Sequence, residues 1–475
     1  MRPISALQAE ARADAALGSR RDVYVCAAAG FTTLLDSAVL SIGVPAIRSS
    51  LDAGTSEVQW ILASYSLAFG LALVPAGRLG DVIGRRRLFL TGLSLFSVMG
   101  LVGAFAGEPW MIVAARLGQG IGAGTVSSQV LGIITDRYSG RERAKALGVY
   151  STAGGLAGLC GPLLGGVVLG VAAPDLGWRL LLLLNVPFAV ATLIAAVFVL
   201  RKDQARRSGA SIDILGLLAL GVATLLLLLP MVSSFGAAFS VASVLGSAAV
   251  LVAFWFWEKR FAAGGGTPVL LPALVRSRGY TLGTMVATFW FGAILALQAV
   301  LSLYLIEGLG YPALQAALIM VGSSILMAVT SAFGWRVVLA LGRTAVIGAV
   351  VLELFVVAGY VGTINFLPRE HTVPAFVVLA ILSGIASGFV DAPNRGMTLE
   401  YAPAGANGVA AGFLQLSQRL SATISLAAVS GIYLGVLAAD GANFGGAVAL
   451  GLGVCALMLL CSLACAVADG RRRRS

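Results

Sequence analysis

Almost from end to end the chain divides into apolar runs of roughly 20 residues, separated by short polar turns. A run of that length crosses a hydrocarbon core about 30 Å thick as a helix rising about 1.5 Å per residue. Backbone polar groups find no water in that core, so each run has to satisfy them within its own helix. Fourteen runs are expected, at 22–45, 57–76, 88–106, 110–132, 144–170, 178–200, 212–233, 238–257, 279–306, 313–333, 345–361, 373–394, 405–436 and 442–467. With 59% of 475 residues hydrophobic and 11% charged, the folded surface has to face lipid. The first run is too long for a cleavable leader and contains Asp36, so it reads as an uncleaved first helix.

Lys and Arg set the orientation, because positive charge is retained on the cytosolic side of short loops. With both termini inside, basic residues gather in the arm (Arg2, Arg12, Arg20, Arg21), in the turns near Arg85, Arg141 and Arg206, in 259–278 and in the tail Arg471–Arg474. Arg48, Arg179 and Arg369 fall outside, and Arg116 and Arg419 lie within runs. The net charge of +11 therefore follows from topology and implies no nucleic-acid partner, since the basic residues are dispersed over successive turns. The tail either meets anionic headgroups or ends as a solvated stop signal. Arg in excess over Lys, with abundant Gly and Ala, points to a bacterial plasma (inner) membrane.

Several function classes drop out. The lysines Lys145, Lys202 and Lys259 sit in no phosphate-binding GxxxxGK[ST] loop. The single His371, expected in an outer loop, offers neither a paired metal ligand nor an intramembrane base. Cys26, Cys160, Cys455, Cys461 and Cys465 show no paired ligand spacing and read as small packing residues. Neither an enzyme, a metal nor a cofactor is expected.

One turn is patterned beyond topology. GRLGDVIGRRR, from Gly77 through Asp81, Gly84 and Arg85 to Arg87, lies between the second and third runs. LDSAVLSIGVP closes the first run, RLGQGIGAG opens the fourth from Arg116, and Gly148, Gly161, Pro162, Gly165 and Gly166 punctuate the fifth. Trp178, Arg179, Asn185 and Pro187 begin the sixth. In this order the motifs resemble the major facilitator superfamily, in its fourteen-helix drug:proton antiporter branch. The resemblance departs at Ala38, Ser41 and Ala157, which replace a usual Thr, Asn and Gly.

The resemblance implies an all-α polytopic membrane protein: a six-helix bundle in 1–200, a linker with two inserted helices in 201–278, and a second six-helix bundle in 279–475. The bundles of this fold are pseudo-symmetric and built of inverted repeats. The second half shows this weakly, because FGWRVVLALGR keeps Gly334, Arg336, Gly342 and Arg343 but has no acid corresponding to Asp81. The resemblance also implies that Gly77, Asp81, Gly84 and Arg85 latch the bundles together on the cytosolic side. A solvated topological turn is the alternative. Gly161-Pro162 permits a bend and Gly165-Gly166 close helix approach, giving either a rocking surface or a kinked packing helix.

Charge within a membrane costs roughly 2.5–3.5 kcal/mol per residue on insertion scales, so each such residue is a functional candidate. Asp36 and Arg116 lie at similar depths and belong to one polar layer. Asp36 is expected to exchange a proton with Arg116 tuning it, the alternative being a static pair that orders the bundle. Glu353, midway along its run, is the candidate second proton site, while Glu307 and Asp391 lie near helix ends and Arg419 has no assigned role. Phe289, Trp290 and Gln298 are candidates for a substrate cavity, or pack as an ordinary aromatic stripe. The function implied is a proton-coupled antiporter exporting amphipathic drugs or antibiotics, with protons, membrane lipids and the small molecule as its partners and a monomer as its form. A facilitator or importer of a specific metabolite is the alternative on the same fold.

Overall fold

The computed structural model describes residues 4–201, 213–232, 236–266, 268–269, 272–402, 407–440 and 444–472, all of its regular elements being helical. Most of the basic linker 201–211 and the last residues of the arginine tail lie outside the described residues. The helices are α1 (Ile4–Ser50), α2 (Thr55–Ile83), α3 (Arg85–Ala104), α4 (Pro109–Arg137), α5 (Gly140–Val171), α6 (Pro174–Leu183), α7 (Asn185–Val199) and α8 (Ile214–Val232). They continue with α9 (Ala237–Ala263), α10 (Pro272–Arg276), α11 (Arg278–Leu303), α12 (Ala313–Leu341), α13 (Arg343–Phe366), α14 (Arg369–Leu399), α15 (Asn407–Asp440) and α16 (Phe444–Arg472).

Among the described residues, eleven helices are long and apolar enough to cross a membrane, α6 and α7 together forming one of them. The expectation of fourteen adds α4, α8 and α15. The apolar stretch of α8 is short, Ile214–Leu227. Helix α4 falls outside for a different reason: from Gln119 to Thr135 nearly every residue is buried, polar Thr125, Ser127, Ser128 and Gln129 included. A helix enclosed by other helices needs no lipid-facing apolar stripe.

Helices α1–α7 pack mainly on one another, through α2 on α4, α3 on α4 and α1 on α5. Helices α11–α16 do the same, through α12 on α14 and α11 on α15 and α16. The two groups meet where α2 and α4 touch α15 and where α5 touches α12 and α14. Helices α8 and α9 pair with each other, and α8 leans on α2 and α15. The second group has its own core, with Trp290, Tyr360, Phe376 and Tyr433 fully buried.

The sixth expected run is broken between Leu183 and Asn185. Pro187 has no amide hydrogen to give to the preceding turn, so the helix restarts there. The restart sets Asn185 inside the first group, where it is 1% exposed.

Candidate functional site

Asp36 on α1 and Arg116 on α4 form a direct ion pair, each 2% exposed. The second carboxylate oxygen of Asp36 accepts a hydrogen bond from Asn185 Nδ2 at 3.0 Å. Arg116 also donates to Gln119 Oε1 at 3.0 Å, and its guanidinium lies 4.3 Å from the centre of the Tyr65 ring. Tyr65 in turn donates to the Thr33 carbonyl at 2.9 Å. The pair is thus held by α1, α2, α4 and α7. The sequence placed Asp36 and Arg116 in one layer; Asn185 as their third partner becomes visible only with the break at Pro187.

One turn from Asp36, Thr33 and Leu34 enter the wall of a cavity of about 190 Å³ between the two helix groups. Phe69, Ser127, Tyr150 and Ser151 line it from the first group; Phe291, Met327, Asp391, Arg395, Gln415, Gln418 and Arg419 line it from the second. The Arg419 guanidinium sits 4.4 Å from the Phe69 ring centre and 6.0 Å from that of Phe291. Phe69 packs against Tyr65 at 6.0 Å, so a continuous stack runs from Arg116 through Tyr65 and Phe69 to Arg419. Ser127 and Gln415 are hydrogen-bonded across the seam at 2.5 Å.

Beyond the cavity, toward Gly84, the groups are closed on each other. Gly84, with φ 109°, makes the turn between α2 and α3 that a side chain would strain. Arg85 then pairs with Asp81 and, at 3.1 Å, with Asp136 near the end of α4. The first turn of α15 lies against these acids: Asn407 Nδ2 donates to Asp136 at 2.8 Å and the Gly408 amide to Asp81 at 3.4 Å. A helix N-terminus carries partial positive charge and unpaired amides, so carboxylates are its natural partners. Gly77 approaches Gly408 so closely that a Cβ on either would collide with the other's backbone. At the same end Arg141 and Lys145 of α5 stand over the Trp335 ring of α12, at 4.8 and 5.0 Å.

The second-half turn at Gly342 solves its missing acid differently. Arg343 pairs with Asp469 of α16 at 3.1 Å and donates to Asn394 of α14, both inside its own group. Asp136, Asn407 and Asp469 were not singled out in the sequence, and only the Asp-Arg ending of α4 gave a local signal.

The glycines of α5 divide by neighbour. Gly148 packs on the Ser331 carbonyl of α12, with room for no side chain, while Gly161 packs on Ala38, two residues from Asp36. Gly165 is buried and a Cβ on Gly166 would meet open space. The side chain of Pro162 lies outside the described residues. Glu353 is 0% exposed within the second group and accepts from Ser383 at 2.8 Å. Trp290, 1% exposed, stands behind the cavity wall beside Asp391, and its neighbour Phe291 faces the cavity instead. Gln298 lines a separate recess of about 160 Å³ between α5, α11 and α12, toward the end opposite Gly84. Glu307 is exposed, in a π-helical turn that continues α11.

Comparison with known proteins adds to this geometry. The family described as the Major Facilitator Superfamily matches residues 26–426. The probable actinorhodin transporter of Streptomyces coelicolor is 31% identical over 413 residues, covering 85% of this chain and 70% of that protein. The cephamycin export protein CmcT of Amycolatopsis lactamdurans is 32% identical over 428 residues, covering 85% of this chain and 83% of that protein. Among solved structures, the proton:xylose symporter XylE shares the fold, with a TM-score of 0.66 at 14% identity over 94% of this chain and 95% of that one.

Proposed function

Because the chain belongs to the Major Facilitator Superfamily, we propose that it is a proton-coupled antiporter that exports amphipathic, antibiotic-like compounds from a bacterial cell by alternating access. The observation that carries this reading is the cavity walled by both helix groups, with charged and helix-end contacts closing the groups at one of its ends. A site at a seam between two rigid groups changes its exposed side when the groups rock. Export, rather than uptake, is supported by the names of the relatives that match most of the chain.

In this reading α4, α8 and α15 join the eleven apolar spans to make fourteen, with two six-helix bundles flanking the pair α8 and α9. Both termini and the Gly84 end face the cytosol, where basic turns are retained. The structure is then the state closed to the cytosol. Opening requires the first turn of α15 to leave Asp81 and Asp136, and Gly148 to slide on α12. Asp36 is the exchanging carboxyl: both its oxygens are engaged, so proton uptake has to part it from Arg116 and Asn185. The freed Arg116 then shifts against Tyr65, and the aromatic stack conveys that shift to the cavity at Arg419. Glu353 is the second proton site within the C-terminal bundle.

The test is uptake of lipophilic dyes and antibiotics into inverted vesicles carrying the protein, with and without an imposed proton gradient. Uptake is expected to depend on the gradient and to be lost in Asp36→Asn at normal insertion. Gradient-dependent uptake that survives intact in Asp36→Asn removes this carboxyl from the coupling.

A further inference from the structure

Three charged side chains face the cavity among the described residues: Asp391, Arg395 and Arg419. Two of them are already engaged. Asp391 lies beside Trp290 and is the nearby counter-charge of Arg395, one turn further along α14. Arg419 has no carboxylate and no hydrogen-bond acceptor for its guanidinium among the described residues; its contacts are the faces of Phe69 and Phe291. A guanidinium held by ring faces keeps its edge donors free, in the planar fork that matches a carboxylate.

The other unsatisfied groups have the same sign. Arg395 Nε and Gln415 Nε2 are buried without an acceptor, Gln415 being 7% exposed, with its oxygen already taken by Ser127. Buried donors left without acceptors are uncommon in folded proteins, so several around one cavity mark a ligand that supplies the acceptors. A cationic ligand would meet two guanidiniums and one carboxylate whose charge Arg395 already offsets. Phe69, Phe291 and Tyr150 add ring faces for a flat apolar body.

We infer that the cavity recognises aromatic organic anions, with Arg419 as the primary anion-binding residue and Arg395 and Gln415 completing the donor set. The inference rests on the exporter reading for its direction of movement, but not for the binding itself. It names the substrate class as flat compounds bearing a carboxylate or an acidic phenol.

Two dyes with one xanthene skeleton and opposite charge test it: fluorescein, an anion, and an esterified rhodamine, a cation. Binding to the purified full-length protein in detergent is read by fluorescence anisotropy. Fluorescein is expected to bind more tightly than the rhodamine. Arg419→Gln should weaken fluorescein by about tenfold or more, the equivalent of about 1.4 kcal/mol, and Arg419→Lys by less, with the rhodamine not weakened by either. Tighter rhodamine binding, no saturable fluorescein binding, or an Arg419→Gln affinity within about twofold of the parent overturns the inference. The same dyes in inverted vesicles separate the two readings. Gradient-driven uptake of the rhodamine alone overturns the anion site and leaves export standing; fluorescein that binds through Arg419 but is never taken up overturns export and leaves the anion site.

Discussion

At the scale of single residues, the Asp36–Arg116–Asn185 cluster meets opposing demands if Asp36 is the exchanging carboxyl: the fold favours the closed pair, proton uptake its parting. Leaving one partner of a buried ion pair alone costs about 3–5 kcal/mol, because the survivor keeps its desolvation penalty. Loss of one buried hydrogen bond costs about 1–3 kcal/mol. Thermal unfolding in detergent should therefore rank Asn185→Ala below the parent and Arg116→Leu below Asn185→Ala. The double change Asp36→Asn, Arg116→Gln should recover much of the loss without restoring transport. If Arg116→Leu unfolds no earlier than Asn185→Ala, the pair is not holding the bundle together. That Asp36 and Arg116 share a layer was legible from sequence, since counting residues along a helix gives their level. Pairing was not, because it depends on how the helices are turned about their axes, which α5 and α7 settle by packing on α1.

At the scale of elements, the contact that closes one end of the cavity joins a turn to a helix terminus. Asp81 and Arg85 were legible because they stand in one short stretch; Asp136 and Asn407 arrive from α4 and α15, 51 and 271 residues apart in the hydrogen bonds they make. If this contact is a latch, its loss should change the rate of the cycle. Asp81→Asn is expected to lower the maximal transport rate several-fold while the apparent substrate affinity stays within about twofold; an effect confined to affinity contradicts the latch. Gly408→Val tests the same contact by bulk, because its side chain would run into Arg85 and the Gly77 backbone. In a background without native cysteines, a cysteine in place of Ser127 on the cavity wall should then react faster with an impermeant maleimide added to inverted vesicles. Unchanged labelling would mean that the approach of Gly77 to Gly408 does not seal the cavity.

For the whole molecule, helix count and group boundaries illustrate what hydropathy can reach. Runs facing lipid are apolar and easily read, whereas α4 and α15 are polar where they face other helices and the cavity, so their membrane character depends on neighbours. The same viewpoint exposes an asymmetry between the two halves. At the first-half turn Asp81, with Asp136 from α4, reaches across the seam to α15, while the second-half turn directs Arg343 inward to Asn394 and Asp469. If the groups rock as proposed, the first turn is tied to a partner that has to leave, and the second is tied within a group that moves as a unit. The two acids should accordingly fail in different ways. Asp469→Asn removes the negative charge facing Arg343, whose pair is 2% and 5% exposed, and should lower stability by about 3–5 kcal/mol. Transport per correctly inserted molecule should hardly change. Asp81→Asn should do the reverse, slowing transport with a smaller loss of stability, since Arg85 keeps Asp136. Measuring unfolding temperature and transport rate on both variants decides the matter: equal losses in both quantities for both acids would mean that the two turns do the same work, and that the seam does not open where α15 meets α2 and α4.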